Sequence, residues 1–406
     1  MKKDISNVFN LQGFLFDSIK NDEEKQAVFV NVRCPKKFVP CPGCASSVKN
    51  IHQIKYREVK HGLVDQKTVI LIVKTRRFKC RHCGKVFTEK LPGISRQRTS
   101  LNFRLQLFEW LRTNSFRRVS EKFNIASSTL VKYLLEFNKD IGEIDWEGEN
   151  ITKLGIDEHS FRGKRMVITV TDLENKKLLT ILKGDGQRTL EEFFRKIPGK
   201  YRLNINEVCT DLRESYSIVI KKYLPHAIYT ADRYHVETLA RIMVDETRRI
   251  VQEERPGRKM NTKKLLWSNK YDLDENELRK LNIIFEKYRS YPVLKQSWLI
   301  KEKIVQMYQI KNEKEAERKF DEIIMLLETT DYSRYLRTFK RTFKRWRTPI
   351  LNYFKNRTTN GFTEGCHTKI KMIKRVSYGF RNINNYIAKV TLGFLPFALV
   401  VGYHTF

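Results

Sequence analysis

The chain has 406 residues, room for roughly two to four domains and a sizeable core. Its 79 Lys and Arg outnumber 46 Asp and Glu, giving a formal net charge of +33. With 18 Gly, 10 Pro, 41 % hydrophobic and 12 % aromatic residues, the composition excludes a low-complexity, collagen-like or wholly disordered chain. A surface this basic repels itself unless something anionic neutralises it. Nucleic acid is the expected partner, because neutralised phosphates release their counterions. A merely basic host protein is the bland alternative. Anionic membrane is the competing partner, but no basic amphipathic helix lies beside an anchor. The N-terminus, MKKDISNVFN, meets acid at Asp4 and lacks an apolar signal-peptide core. The apolar run from Leu392 to Val401 is about half the roughly 20 residues of a spanning helix, and Pro396 interrupts it. A cytoplasmic protein with no membrane partner is the expectation.

In chain order, residues 1–35 hold a short helix-like lead and the strand VFVNV. Four of seven cysteines then form two Cys-x-x-Cys pairs, Cys41–Cys44 and Cys80–Cys83. Two residues between thiolates allow a tight turn that offers both sulfurs to one tetrahedral ion, and Gly43 suits such a turn. The 35 residues between the pairs hold the strand-like TVILIVKTRRFKC, which leads into the second pair. This is the pattern of a zinc ribbon with structural Zn2+. A redox motif or unpaired buried thiols are the alternatives, and a redox motif needs no second copy. Cys34, His52, His61 and His82 are possible substitute ligands, and Cys209 reads as buried. Residues 1–95 are thus an N-terminal segment and zinc ribbon, ending near the turn LPGI. The basic patch SRQRTS (95–100) would track phosphates or act as a solvated linker.

Within a domain of residues 96–145, residues 101–138 read as three helices. LNFRLQLFEWLRT places Leu101, Leu105, Phe108 and Leu111 near helical spacing. SFRRVSEKF places Phe116, Val119 and Phe123 on one face. SSTLVKYLLEF follows the turn NIA, with Ser127 or Ser128 as cap and Leu130, Val131, Leu134 and Leu135 inward. The arrangement fits a helix-turn-helix whose last helix offers Ser128, Thr129 and Lys132 to a groove. An ordinary small helical bundle is the alternative.

From about 150 the texture becomes α/β. ITKLGIDEHSF carries Asp157 and Glu158, and VITVT–DLENKK–LLTIL reads as a hairpin. TLEEFFRKI is a helix, INEVCTDL a strand ending at Asp211, RESYSIVIKKYL a helix, and HAIYTADRYH a strand closed by Asp232 and His235. A mixed sheet with packed helices follows over 150–250. Residues 251–350 are an α-helical insertion, nearly devoid of Gly after Gly257. Residues 351–406 hold NGFTEGCHTKIKMIKR, a helix with Glu364 near its start and a basic side of Lys369, Lys371, Lys374 and Arg375. Carboxylates at strand ends point into the crevice where α/β sheets carry their sites. They are costly beside a polyanion unless a divalent cation neutralises them, and phosphodiester chemistry uses such cations. Any single strand-end Asp is also a common turn or cap residue.

The order of these motifs resembles a DDE transposase of the ISL-three insertion-sequence family. The resemblance runs from the Cys pairs through GIDEHSF, TDLRESY and ADRYHV to NGFTEGCHTKIKMIKR, about residues 35–395. It implies a ribonuclease-H-like α/β catalytic core with an α-helical insertion, preceded by the zinc ribbon and helix-turn-helix. By motif, Asp157, Asp211 and Glu364 would be the catalytic ligands of Mg2+ or Mn2+, separated by 54 and 153 residues. Glu158 and Asp172 compete with Asp157, and Asp232 competes with Asp211. Asp232 and His235 would form a supporting shell. His367 stands where many relatives carry Asn; it would touch the scissile phosphate or cap a helix turn. Lys369, Lys374 and Arg375 would pair with DNA phosphates. The implied activity is recognition of terminal inverted repeats, metal-dependent cleavage of double-stranded DNA and strand transfer. A homodimer or larger assembly on DNA in a bacterial nucleoid is the further expectation. A zinc-ribbon regulator without catalysis, or a structure-selective nuclease or resolvase on the same core, are the alternatives. A serine or tyrosine recombinase is a weaker fit, since it would work without divalent metal.

Overall fold

The computed structural model describes residues 8–11, 13–94, 98–141, 144–254, 262–329 and 333–396. Residues 95–97 of the basic patch, the first seven residues and the apolar run beyond 396 lie outside the described residues. The chain divides into two compact units, Met1–Glu143 with Ile370–Phe406, and Ile144–Lys369.

The first unit begins with a sheet of β1 (Leu15–Asp22), β2 (Ala27–Arg33), β5 (Ile51–Val64), β6 (Lys67–Lys79) and β7 (Val86–Thr88). The order is β1-β2-β6-β5, with β7 also on β6. A separate pair, β3 (Val39–Pro40) and β4 (Ser47–Val48), lies between β2 and β5 in sequence. β6 is central because its alternation buries Val69, Leu71 and Val73 against Val30, Val32 and Val59. β5 turns into β6 through Asp65 and Gln66, both at positive φ, as two-residue hairpins require.

Three helices follow: α1 (Leu101–Thr113), α2 (Phe116–Lys122) and α3 (Ser127–Ile141). The Ser100 and Ser115 hydroxyls cap α1 and α2 by accepting from the amides of Phe103 and Arg118. Ser127 is the first helical residue of α3. On α1 the fully buried residues are Phe103, Leu107, Phe108 and Leu111, whereas Leu101 and Leu105 are half-buried. The helix is therefore rotated from the expected phase. In that phase Phe103 packs edge-on against Phe123, rings 5.8 Å apart.

The second unit is built on β8 (Lys153–Arg162), β9 (Arg165–Asp172), β10 (Lys177–Leu182), β11 (Glu207–Thr210) and β12 (Ile228–Ala231), in the order β10-β9-β8-β11-β12. β8, β9 and β10 are antiparallel, and β8, β11 and β12 are parallel. β10 leads to β11 through α4 (Gln187–Lys196), β11 leads to β12 through α5 (Glu214–Tyr223), and α6 (Arg233–Glu254) follows β12. Between α6 and residue 356 the described residues are helical or in connections, through Lys263–Trp267, Glu275–Lys287, Pro292–Met307, Glu313–Thr329, Ser333–Arg345 and Arg347–Asn356. One continuous core joins the sheet to these helices, from Ile156, Val170 and Val208 to Trp298, Phe320 and Phe343.

α7 (Gly361–Val376) follows, and α8 (Ile383–Phe394) returns to the first unit. Ala388 and Leu392 of α8 enter the core of α1–α3. The buried Lys389 amine caps α1 from the side, donating to the carbonyls of Leu111 and Asn114. No described helix is long and apolar enough to cross a membrane.

Gly155 on β8 lies directly beneath the start of α7. A Cβ there would lie 2.5 Å from the buried side-chain oxygens of Thr171, Asn360 and Thr363. Gly155→Ala is expected to cost about 1–3 kcal/mol of overpacking, read as a lower denaturant midpoint with an unchanged slope.

Candidate functional site

Three adjacent strands deliver three carboxylates to one level. The parallel pairing ends at Ile156 opposite Thr210 and Thr210 opposite Ala231. The next residues are Asp157, Asp211 and Asp232. Neighbouring strands lie about 4.8 Å apart, so these side chains share one small volume. Asp211 and Asp232 follow their strands directly, as expected. Asp157 does not: it sits inside β8, which continues to Arg162 paired only with β9. The correction is physical. β8 outruns β11, so the end of the parallel rungs, rather than the end of the strand, places Asp157.

The remaining groups come from two helices. His235 lies on the first turn of α6, with Nε2 2.8 Å from Asp211 Oδ1. Glu364 lies on the first turn of α7. Ligand atoms of Asp157, Asp211 and His235 fall within 4.8 Å of one another, as do those of Asp232, His235 and Glu364. The sequence-predicted Asp157, Asp211 and Glu364 thus fall in two clusters that share His235, and Asp232 lies in the cluster of Glu364.

Local hydrogen bonds fix these positions. Asn360, just ahead of α7, donates its amide to Asp232 Oδ1 at 2.9 Å and its side-chain N–H to the Ile156 carbonyl at 3.1 Å. It thereby ties the start of α7 to β8 and β12. His367 Nδ1 is 3.3 Å from Asp157 Oδ2, and its Nε2 is 2.9 Å from Thr169 Oγ1. Thr169 also bonds His159 Nδ1 at 2.8 Å. His159 and Thr169 escaped the sequence reading; period-two alternation places both on the face of β8 and β9 that carries Asp157, and is the signal that would have found them. The Tyr229 hydroxyl donates to the Asp211 carbonyl at 2.9 Å.

The electrostatics are those of crowded acids. Burial, then the charge of Asp211, pushes the Asp157 carboxyl up to about 8, against the opposing charge of His235. Burial also raises Asp232 and Glu364. Burial pulls His235 down, but its bond to Asp211 and the charges of Asp211, Asp157 and Asp232 win and raise it to about 9. Asp232 Oδ2 and Glu364 Oε1 are buried without a hydrogen-bond partner. The fold does satisfy acids elsewhere: at the other end of β11, buried Glu207 accepts from Thr230, Thr358 and Asn356. Four gathered carboxylates, with partnerless buried oxygens on Asp232 and Glu364, plus one imidazole, form a hard oxygen-rich donor set of the kind that suits Mg2+ or Mn2+.

Folded pKa values above the unfolded ones mean that the folded state binds more protons. Stability of the metal-free protein is therefore expected to fall as pH rises, through roughly 4 to 8 for Asp157 and roughly 6.5 to 9 for His235. Thermal melts between pH 6 and pH 9 would show it.

The competing acids have other work. Glu158 points to the other face of β8, against Arg213 and the Tyr216 hydroxyl. Asp172 ends β9 and accepts from the amides of Glu174 and Asn175, holding the hairpin turn.

In the first unit the four expected cysteines converge. Cys41 and Cys83 sulfurs are 3.5 Å apart, Cys44 and Cys80 sulfurs 3.7 Å, and all four lie within 4.8 Å. Zn–S bonds of about 2.3 Å in a tetrahedron put sulfurs about 3.8 Å apart. Hydrogen bonding to Ser46 pulls Cys44 down to about 6. His61 instead bonds Ser100 Oγ and the Phe9 carbonyl, and Cys34 and Cys209 are buried outside the cluster. Of the groove-facing residues expected on α3, Ser128 and Lys132 are exposed and Thr129 is half-buried; Lys132 pairs with Glu136 at 3.9 Å. On α7, Lys369 and Arg375 are exposed, and burial, then Lys371, lowers the half-buried Lys374.

Comparison with known proteins agrees with this layout. Residues 154–390 match the ISL3-type DDE family described as transposase. Residues 37–83 match the zinc-finger of transposases IS204/IS1001/IS1096/IS1165. The transposase for insertion sequence element IS1001 of Bordetella parapertussis is 23 % identical over 396 residues, covering 94 % of this chain and 96 % of that protein. The transposase for insertion sequence element IS1557 of Mycobacterium tuberculosis is 27 % identical over 271 residues, 60 % of each chain. The family match and the transposase relatives, on an α/β core with an acidic crevice, identify a transposase, an enzyme that cleaves DNA and transfers strands. The chain belongs to the ISL3 family of DDE transposases. Its partner is DNA, and the zinc-finger match with the four-cysteine cluster gives it a structural zinc site.

Proposed function

We propose that Asp157, Asp211 and Glu364, with Asp232 beside them, are the metal-holding catalytic residues of this transposase. The observation that carries the reading is the pair of carboxylate clusters joined at His235, with buried oxygens of Asp232 and Glu364 left without a hydrogen-bond partner. Divalent cations held there, Mg2+ or Mn2+, would activate an attacking oxygen and stabilise the leaving one. The chain's own groups do the rest: His367 and Thr169 orient Asp157, Asn360 orients Asp232, and His235 orients Asp211. Water attack on the phosphodiester at an element end leaves a 3′-hydroxyl and a 5′-phosphate. That hydroxyl then attacks a target phosphodiester, and the target's own 3′-oxygen leaves. No Ser or Tyr nucleophile is called for.

The wider reading is a ribonuclease-H-like core, supported by three antiparallel strands followed by two parallel ones. The modules are 1–95, a helix-turn-helix at 96–145, core at 150–250 and 351–406, and the helical insertion at 251–350. Ser128, Thr129 and Lys132 of the helix-turn-helix, with the zinc ribbon, recognise terminal inverted repeats, and Lys369, Lys374 and Arg375 contact phosphates. Two ends must be joined, so a homodimer or larger assembly forms on DNA, in the cytoplasmic nucleoid of a bacterium.

The test uses full-length protein and a plasmid carrying the element with its native flanks. Mg2+- or Mn2+-dependent cleavage and joining by the wild type, lost in Glu364→Gln with duplex binding intact, is the expected result. Equal activity in both proteins contradicts it, and cleavage without joining would mark a nuclease. His367→Ala, which removes a group acting through Asp157, is expected to lower the cleavage rate about 10–100-fold without changing DNA affinity.

A further inference from the structure

The long hairpin of the first unit outgrows its sheet. β2 covers β6 only from Thr68 to Lys74, and among the described residues β5 carries no strand on its outer edge, only a bridge from Lys60 to Thr99. Beyond Lys74 the hairpin continues as a ribbon flanked by the three residues of β7. The core contacts of Val59, Leu71 and Val73 stop there, and Ile51–Tyr56 are exposed at every position. On β6 the buried Phe78 packs with Val48 and Phe87 on the opposite face, so burial does not account for the exposed side chains of Ile51–Tyr56, Arg77 and Lys79.

The register decides what the ribbon presents. Gln53 pairs with Arg77, Lys55 with Thr75 and Arg57 with Val73. Paired residues share a face and alternate residues repeat it, so Lys79 joins Gln53, Lys55, Arg57 and Arg77. That face carries four cations and no carboxylate. Glu58 pairs with Ile72 on the opposite face, and Glu89 is engaged by Arg76 there. Lys55, Arg77 and Lys79 make no ion pair among the described residues.

We propose that this face of the β5–β6 ribbon binds duplex DNA by pairing its cations with backbone phosphates. The cations lie in two rows about 4.8 Å apart, repeating every roughly 6.8 Å, close to the spacing of phosphates along one strand. Protection of an exposed sheet edge is the simpler use of such charges. It needs charge of either sign on the edge strand, however, and here Arg77 and Lys79 sit on β6, inside the sheet. The proposal rests on DNA as the partner but not on the assignment of the catalytic residues.

The test measures binding of zinc-loaded, full-length protein to an element-end duplex and an unrelated duplex across a salt series, without added Mg2+ or Mn2+. In Lys55→Gln/Arg77→Gln/Lys79→Gln the slope of log affinity against log salt is expected to fall by about 2–3. Affinity near 0.15 M salt should drop at least about tenfold, with zinc content and melting temperature unchanged. Each single variant should lose about 1 from the slope, which keeps the test valid if the triple variant misfolds. Unchanged slopes in folded, zinc-loaded variants overturn the proposal. So does a changed sedimentation coefficient with unchanged DNA binding, which would make a second copy the occupant. Glu364→Gln should bind as wild type does, whereas a wild type that binds no duplex would contradict DNA as partner.

Discussion

Asp211→Asn is expected to abolish strand cleavage, by about a thousandfold or more, with duplex binding retained. Asp211 ends the strand between β8 and β12, the point where both clusters meet through His235. The substitution keeps size and shape but removes a charge and turns an oxygen acceptor into an N–H donor. A divalent clamp supplies several kcal/mol to a phosphoryl transition state, which converts to about three orders of magnitude in rate. A second readout separates this from loss of structure. Asp211 holds His235 up at about 9 by hydrogen bond and charge, so the imidazole should titrate lower in the variant. A wild-type rate with an intact His235 titration would show that Asp211 takes no part.

Removing zinc, or Cys44→Ser, is expected to unfold the knuckle end of the ribbon. Its packed interior is only Cys41, Val48, Phe78 and Cys80, with Val39, Cys44 and Phe87 against them. So few apolar side chains cannot offset the ordering of two turns and two short strands. Metal binding replaces the missing core, on the order of 10 kcal/mol in isolated zinc modules. Hydrogen exchange should show lost protection around residues 39–50 and 77–88, together with weaker duplex binding. Full protection in zinc-free protein would contradict this reading.

Much of this architecture was legible because the signals were local. The paired cysteines, the TDLRES and DRYH strand ends and the alternation of β6 each depend on a few neighbouring residues. Long-range facts were not legible. Asp157 sits mid-strand because β8 outlasts its parallel partner, which depends on register. The bridge from His367 to Asp157 and Thr169 spans 198 residues to the threonine. Lys389 reaches back 278 residues to cap α1, and no local pattern marks it. β5 was missed for another reason: Ile51–Tyr56 are all exposed, so no buried alternation announces a strand.

The central claim is that the acidic crevice holds the catalytic cation, and Mn2+ binding tests it most directly. Full-length, zinc-loaded protein would be titrated with Mn2+ and followed by electron paramagnetic resonance, comparing wild type with Asp157→Asn and Glu364→Gln. Saturable binding that weakens at least about tenfold in each variant is the expected result. Identical binding in all three proteins, with each folded, would contradict the assignment.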